Sequence, residues 1–264
     1  MTTPNQWGIR EVAVATFYDL KTGKALVQLN NLKTSGLENS AETVYARGGR
    51  GNAKILGFTS GREGKVTLQD ALFTNQVIAM MTGNSLDKAS QQIYQRDVLQ
   101  VSDNSASLKY TPAHEGALIS VYKLNSDGTH GTELTYTSNS VAAGKYTLTA
   151  KVLAFNTGEL PDGAEIVAYY QTDTDATSDK ITVSSDKFAG SFKVVLDCLV
   201  RDVVTHQDFA AQIVINNAKM EDNWKVDMAA TGDPSVFDIP MQILKPVNGT
   251  EMWTMTIYDD ALLA

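Results

Sequence analysis

The sequence is poor in the residues on which many catalytic and metal sites depend. Its 264 residues include one cysteine and three histidines. A single cysteine, Cys198, excludes an intramolecular disulfide and a CxxC metal site. It lies in the apolar run "FKVVLDCLV", which predicts a buried and unreactive thiol. His114, His130 and His206 lack the companions of a metal site or a nucleophile triad, so we predict no enzyme activity, no metal and no cofactor.

Long apolar runs are also missing. None approaches the roughly 18 residues of a membrane span, so we expect no membrane partner. The N-terminal stretch "MTTPNQWGIREV" lacks the basic and apolar regions of a secretion signal, which predicts synthesis in a cytoplasm.

Positive charge is scarce, since the formal net charge is -8. This balance argues against general affinity for nucleic acid, because phosphate binding needs clustered Lys and Arg. The charge is uneven along the chain. Residues 1–69 carry nine basic and five acidic side chains, whereas residues 70–264 carry thirteen and twenty-five. Such a split either orients the meeting of identical chains or arises by chance.

Short runs of alternating apolar residues dominate the chain and predict antiparallel β-sheet with one buried face. Examples are "EVAVATFYDL", "GKALVQL", and the pair "AKILGFTS" and "GKVTLQ". One helix is predicted in "LQDALFTNQVIAMMTG", with Asp70 in its first turn and Gly83 at its end. Two unusually long strands are predicted at residues 189–202 and 207–220, and we expect them to project as a hairpin.

A change in composition near residue 100 predicts an inserted module. Residues 101–178 are rich in Ser, Thr, Asn and Gly, with predicted strands at 106–111, 117–123, 132–137, 145–153 and 165–172. Five short strands at regular spacing are typical of a small β-sandwich of immunoglobulin-like size. The predicted division is therefore a core in two parts, residues 1–100 and 179–264, with the module between them.

The segment "ATGDPSVFDIP" contains two aspartates that we interpret as structural. "NWKVDMAA" and "VFDIPMQIL" alternate cleanly and predict two strands, joined by a turn at residues 232–235 in which Asp233 bonds nearby backbone N–H groups. Asp238 is then expected on the face opposite Phe237. Pro240 cannot donate to a ladder, which predicts an edge position or a bulge.

A basic glycine-rich loop, "ARGGRGNAK" at residues 46–54, is the most suggestive motif. It does not fit a P-loop, because a strand rather than a helix is predicted to follow it. It does not fit a dinucleotide-binding fingerprint either, because Lys54 stands in place of the third glycine. Two interpretations stay open. One is a solvated hairpin loop; the other is a subunit interface in which Arg47, Arg50 and Lys54 meet an acidic neighbour.

Taken together, "VAVATFYDLKTGKAL", "LKTSGLENSAETVYARGGRGNAKILGF", "LQDALFTNQVIAMMTG", "SDKFAGSFKVVLDCLVRD" and "ATGDPSVFDIPMQIL" resemble the tail tube proteins of long-tailed bacteriophages, chiefly those of Gram-positive hosts. The resemblance covers roughly residues 10–96 and 180–258. It implies a mainly β (α+β) fold, an antiparallel β-sandwich or barrel flanked by one helix. The segment between resembles the inserted modules of such families.

The resemblance also implies a function. Such proteins form hexameric rings that stack into a hollow tube in the virion tail, through which DNA passes without specific binding. Expected partners are copies of the same chain, the tail terminator, the tape measure protein, and the distal tail or baseplate proteins. Two alternatives remain: a tail adaptor or baseplate protein of the same fold, and a carbohydrate- or host-surface-binding β module in which Tyr110, Tyr122 and Tyr136 stack on sugars.

Overall fold

The chain is mainly β and divides into two units. The computed structural model describes residues 3–114, 116, 118–226, 228, 230 and 235–262. The first unit comprises residues 1–86 and 181–264, and the second comprises residues 87–180. In chain order, the elements of the first unit are β1 (Trp7–Ile9), β2 (Val14–Asp19), β3 (Ala25–Leu29), β4 (Leu32–Gly48), β5 (Ala53–Asp70), α1 (Asn75–Thr82), β15 (Ser191–Asp202), β16 (Asp208–Met220), β17 (Phe237–Ile243), β18 (Trp253–Tyr258) and a 3-10 turn (Asp260–Leu262).

Nine strands of the first unit form one nearly closed, barrel-like sheet. The order is β3-β2-β15-β16-β17-β5-β4, with β1 added beside β15 and β18 beside β16. β16 is long enough to pair with β18 along one part and with β17 along another. The two ends of the order, β3 and β4, are joined through Asn30 and Asn31 alone. The predicted fold class is confirmed.

Alternating side chains of this sheet fill a main core, and a smaller cluster forms around Val200, Phe209 and Ala211. The buried members of the main core include Phe17, Val66, Leu68, Val194, Leu196, Ile215, Met220, Phe237, Ile239 and Met241. Each fully buried side chain of this size contributes roughly 1.5–3 kcal/mol relative to an exposed one. Val77 and Met81 bring one face of α1 onto the same core, so the helix is held by packing rather than by its own short length.

The predicted helix exists but is shorter than expected. It begins after Thr74 and ends at Gly83, whose φ of 70° is the left-handed conformation that glycine adopts readily. Asp70, expected in the first helical turn, instead ends β5, is buried, and accepts a hydrogen bond from the Leu72 N–H group. Pairing of Asp70 with Phe237 of β17 extends the strand to this point. Tertiary pairing therefore overrides the helical pattern at its start.

The long strands β15 and β16 are confirmed, but they do not project. They pair with each other in the middle of the first sheet, and each also has other strands beside it. The hairpin that extends beyond the sheet is β4–β5. The two strands predicted from "AKILGFTS" and "GKVTLQ" are one continuous strand, β5.

The region before β17 departs from the predicted strand pair. Residues 221–226 form no strand, although the apolar residues Trp224 and Val226 alternate with polar ones. Residues 232–234 of the predicted turn, including Asp233, lie outside the described residues. Asp238 lies on the exposed face of β17, opposite buried Phe237, and accepts a hydrogen bond from Gln69.

The predicted edge position or bulge at Pro240 is not found, because β17 lies between β16 and β5 and Pro240 pairs with Thr67 in a continuous register. Pro240 is tolerated because it lies just beyond the β16–β17 ladder, where its carbonyl accepts a hydrogen bond from the Glu221 N–H group.

The second unit has its own sheet and core. Its strands are β6 (Asp87–Lys88), β7 (Gln92–Gln100), β8 (Ser105–Ser107), β9 (Ser120–Leu124), β10 (His130–Tyr136), β11 (Lys145–Thr149), β12 (Val152–Phe155), β13 (Glu165–Asp173) and β14 (Asp179–Lys180). Seven of them form the order β7-β13-β9-β10-β11-β12-β8, in which only β10 and β11 are parallel neighbours. β7, assigned from sequence to the core, pairs with β13 over its whole length. The predicted strand 145–153 is two strands, divided by a turn at Ala150, whose φ is 53°.

Candidate assembly site

The β4–β5 hairpin extends well beyond the sheet that anchors it. Near its base, Val66 and Leu68 are buried in the core and β5 pairs with β17 as far as Gly64. Beyond this point, within the part of the chain that the structure describes, the two strands pair only with each other. Residues 38–63 are exposed, apart from partly buried Gly48. At ~3.3 Å per residue, the exposed ladder reaches roughly 30 Å.

The glycine-rich motif forms the tip of this hairpin. A four-residue turn at residues 49–52 joins the strands, and Gly49, Gly51 and Asn52 all have positive φ values. These conformations explain the glycines, because residues with a Cβ seldom adopt them. Of the predicted interface residues, Arg47 lies directly opposite Lys54 in the ladder, and Arg50 occupies the turn itself. The structure thus brings all three to one tip.

The three cations have no acidic partner within the described part of the chain. None takes part in any of the ion pairs found there. The Lys54 Nζ atom instead lies 3.9 Å from the ring centroid of Tyr45, a cation–π contact that holds the ammonium against the hairpin. Residues 43–62 carry four basic and no acidic side chains, whereas the rest of the chain carries eighteen basic and thirty acidic ones. The tip is a positive surface on an otherwise acidic protein.

One face of the hairpin is apolar. Val44 lies opposite Phe58, and Ala46 lies opposite Leu56, so these side chains share a face. Val44, Leu56 and Phe58 are each more than half exposed. A contiguous apolar face on an exposed ladder is a mark of a protein interaction surface. Sequence reasoning missed this face, because the flanking Gly, Ser and Thr residues interrupt the apolar pattern.

The hairpin also presents two open strand edges. Among the strands of the described residues, β4 has no neighbour on its outer side and β5 has none beyond Gly64. Unpaired backbone N–H and C=O groups on an exposed edge favour pairing with another chain. Charge, apolar surface and open edges therefore coincide on one element.

Asp208, which the sequence places near His206, takes part in ion pairs in the structure. His206 and Asp208 are close in sequence, but Asp208 begins β16 and forms ion pairs with Arg201 and Arg10. The hydrogen bond from Arg201, at 2.7 Å, is the largest cause of the lowered pKa of Asp208. Within the described residues, no group of three or more His, Cys, Asp or Glu side chains is arranged to hold a metal ion.

Cys198 is partly buried beside an apolar groove of about 540 Å³ in the first unit. Trp7, Leu196, Ile213 and Trp253 contribute to the walls of this groove. Burial raises the pKa of the Cys198 thiol, so the thiol stays protonated and weakly nucleophilic at neutral pH. This agrees with the unreactive thiol predicted from the sequence, although its burial is incomplete.

The three tyrosines proposed for sugar stacking are separated. Tyr122 lies on the outer face of the second sheet, where its ring stacks on His130. Tyr136 packs against the core of the second unit, edge-on to buried Tyr146. The Tyr110 N–H group donates to the Tyr170 hydroxyl, on the inner side of β13. They do not make a single stacking surface.

The fold and the hairpin together define a mainly β protein whose candidate site is the exposed surface of the β4–β5 hairpin. The chain belongs to the YomU/Tube protein family, whose model matches residues 7–257. The match identifies a phage-related tube protein family and supports the coarse form of the resemblance noted from the sequence. A comparison with curated proteins finds no match. None of the helices in the described residues has the length and apolar character that a membrane span requires.

Proposed function

We propose that this protein is the structural subunit of a phage tail tube. Copies close into rings of six, the rings stack, and the resulting tube conducts DNA from the capsid to the host cell. The observation that carries the proposal is the exposed β4–β5 hairpin, with its apolar face, basic tip and open edges. Family membership supports a tube protein, and the ring of six comes from the resemblance to tail tube proteins.

Contacts between copies would cover the apolar surface and the unpaired strand edges that the hairpin exposes in a single chain. Its apolar face and its unpaired edges are exposed in a single chain, and both favour association. In a ring, the first sheet of one copy continues into the sheet of the next, which closes the strand edges. Burial of Val44, Leu56 and Phe58 against a neighbouring copy then contributes hydrophobic stabilisation that a single chain lacks.

Charge favours the same arrangement. The basic tip carrying Arg47, Arg50 and Lys54 is attracted to an acidic surface of another copy, because the remainder of the chain carries a large excess of carboxylates. Carboxylates that face the lumen repel DNA phosphates, so the polymer slides without adhering. This role is structural and requires no catalysis, cofactor or membrane. Further partners are the terminator, the tape measure and the distal tail or baseplate proteins.

Electron microscopy of the purified protein, combined with light scattering, tests assembly directly. Rings or hollow tubes are the expected result. A chain that stays monomeric at high concentration, even with a preformed ring or tube added as an initiator, contradicts the proposal and favours the tail adaptor.

The charge reversal Arg50→Glu tests the role of the tip. We expect a folded monomer with a reduced yield of polymer, because the reversed charge is repelled by the acidic neighbour. Lys151→Glu, at an exposed position in the second unit, is the matched control and should leave the yield unchanged. Equal yields for Arg50→Glu and wild type would remove Arg50 from the interface.

A further inference from the structure

The outer face of the second sheet carries an aromatic cluster that the proposed tube function does not use. On β13, Tyr170 points into the core, so Tyr169 lies on the opposite, outer face. Its ladder partner on β7 is Arg96, and Tyr94 is the next residue of β7 on that face. Tyr122 lies on the same face of β9. Four strands thus place aromatic and polar side chains side by side, with His130 contributed by β10.

Direct contacts order this cluster. The rings of Tyr122 and His130 are stacked, with centroids 4.7 Å apart and an interplanar angle of 4°. His130 meets Tyr169 edge-on at 5.6 Å, and its Nε2 atom lies 2.9 Å from the Tyr169 hydroxyl oxygen. The Arg96 Nε–H group donates to that same oxygen at 3.3 Å. Rings held by one another on rigid strands form a preorganised surface, which reduces the entropy lost on binding.

The cluster is accessible to a ligand. His130 and Arg96 are exposed, and Tyr94 is 75% exposed. A tyrosine exposed to this extent contributes little to the core, and its apolar ring faces water. Ser120 and Gln171, which are uncharged hydrogen-bonding side chains, adjoin the cluster on β9 and β13, and Glu133 of β10 lies opposite Tyr122 on the same face.

Charge decides which class of ligand fits. Arg96 is the one cation of the cluster and Glu133 is the adjoining carboxylate, so the face carries one charge of each sign; neither forms an ion pair among the described residues. Residues 87–180 carry seven basic and twelve acidic side chains, so the unit as a whole repels a polyanion such as nucleic acid. A neutral ligand with an apolar face and many hydroxyls matches the aromatic rings and the donors without that repulsion.

We propose that the outer face formed by Tyr94, Arg96, Tyr122, His130 and Tyr169 binds neutral oligosaccharides. The C–H face of a sugar ring packs on the exposed rings, and its hydroxyls bond to Arg96 and the neighbouring amide and hydroxyl groups. This activity is separate from tube assembly and is measured independently of it.

The test is binding of the full chain to three immobilised probes: neutral oligosaccharides of hexoses and N-acetylhexosamines, uronic-acid oligosaccharides, and a short oligothymidine. We expect binding to a neutral probe. Tyr94→Ala and His130→Ala should each raise its Kd roughly tenfold, the effect of losing one aromatic contact. Tyr110→Ala and His206→Ala are matched controls outside the cluster and should change Kd by less than about twofold.

Four outcomes would overturn the inference. The first is that no neutral probe binds, and the second is that the uronic-acid probe or the oligothymidine binds more strongly than the neutral probes. The third is that the double variant Tyr94→Ala/His130→Ala binds as well as the wild type. The fourth is that the control variants lose as much affinity as the cluster variants. Circular dichroism of each variant establishes that it is folded. Because Tyr94 is so exposed, its removal is not expected to unfold the unit.

Discussion

Replacing Phe58 by alanine tests whether the apolar face of the β4–β5 hairpin becomes covered in the assembled protein. The residue is 59% exposed in the single chain. For a residue with roughly 200 Å² of surface, about 120 Å² is open to water. Covering this area contributes at most ~3 kcal/mol at ~25 cal/mol per Å². Each 1.4 kcal/mol, approximately, is a factor of ten, so Phe58→Ala should raise the critical concentration for assembly by up to roughly 100-fold.

The folded monomer should be almost unaffected by the same change. A side chain that is already exposed contributes little to the free energy of unfolding, and surface substitutions usually change it by less than about 0.5 kcal/mol. Light scattering over a concentration series gives the critical concentration, and thermal unfolding of the unassembled chain gives the stability. The expected signature is a large change in the first measurement and a small change in the second.

Phe188→Ala is a matched control, because Phe188 is 67% exposed and lies outside the hairpin. We expect it to leave the critical concentration close to that of the wild type. If Phe58→Ala assembles at the wild-type concentration, the apolar face is not buried between copies and the reasoning fails. Equal losses for both variants would show that general hydrophobicity, rather than the hairpin, drives association.

Three further predictions concern stability. The pKa of Asp208 is lowered, first by its hydrogen bond from Arg201, so the ion pair stabilises the fold fully above the unfolded pKa of about 4 and loses this effect as the pH falls through the folded pKa. Thermal melting temperatures of Asp208→Asn and wild type should therefore converge in acid. A difference that does not change with pH would contradict this. Gly83→Ala should cost at least ~2 kcal/mol in urea unfolding, because its Cβ would lie 2.2 Å from a backbone oxygen, whereas Gly49→Ala, with open space around it, should cost less. Tyr170→Phe should lower the stability of the second unit by ~1–3 kcal/mol, because the buried carboxylate of Asp97 loses the hydrogen bond that the Tyr170 hydroxyl donates. Hydrogen exchange measures this change, and unchanged protection would refute the prediction.

Tyr170 also has a pH dependence of opposite sign. Burial raises its pKa to about 12, so its contribution is complete below the ordinary tyrosine pKa of about 10 and is lost as pH rises through the higher value. Destabilisation of the second unit in strong alkali should therefore be smaller in Tyr170→Phe than in the wild type. Identical alkaline unfolding curves would argue against this assignment.

Features set by neighbours in the chain could be predicted from the sequence. The strands β15 and β16 follow from their long apolar runs, and Gly83 marks the end of α1 because a left-handed residue is needed there. The basic glycine-rich loop was also recognisable, since its residues are consecutive. Local patterns were sufficient in these cases because the responsible interactions span only a few residues.

The length of the hairpin could not be predicted in the same way, although a hairpin loop at residues 46–54 was one interpretation of the sequence and "AKILGFTS" predicted a strand. Residues 38–63 are exposed on both faces, so burial imposes no regular alternation on them. Their ladder depends on pairing across the chain, as between Val44 and Phe58. At residues 221–226 the prediction fails in the opposite way, because the apolar residues alternate but no strand forms. A strand needs a partner edge as well as a suitable pattern.

The sequence by itself therefore determined the mainly β class, the helix and the cationic loop, all of which arise from composition and short-range periodicity. Only the tertiary structure decided that this loop is the tip of a long hairpin with an apolar face. It alone also brought Tyr94, His130 and Tyr169 together on one sheet. The physical reason is that strand pairing joins residues far apart in the chain, and the choice of partner edge depends on the whole packed sheet.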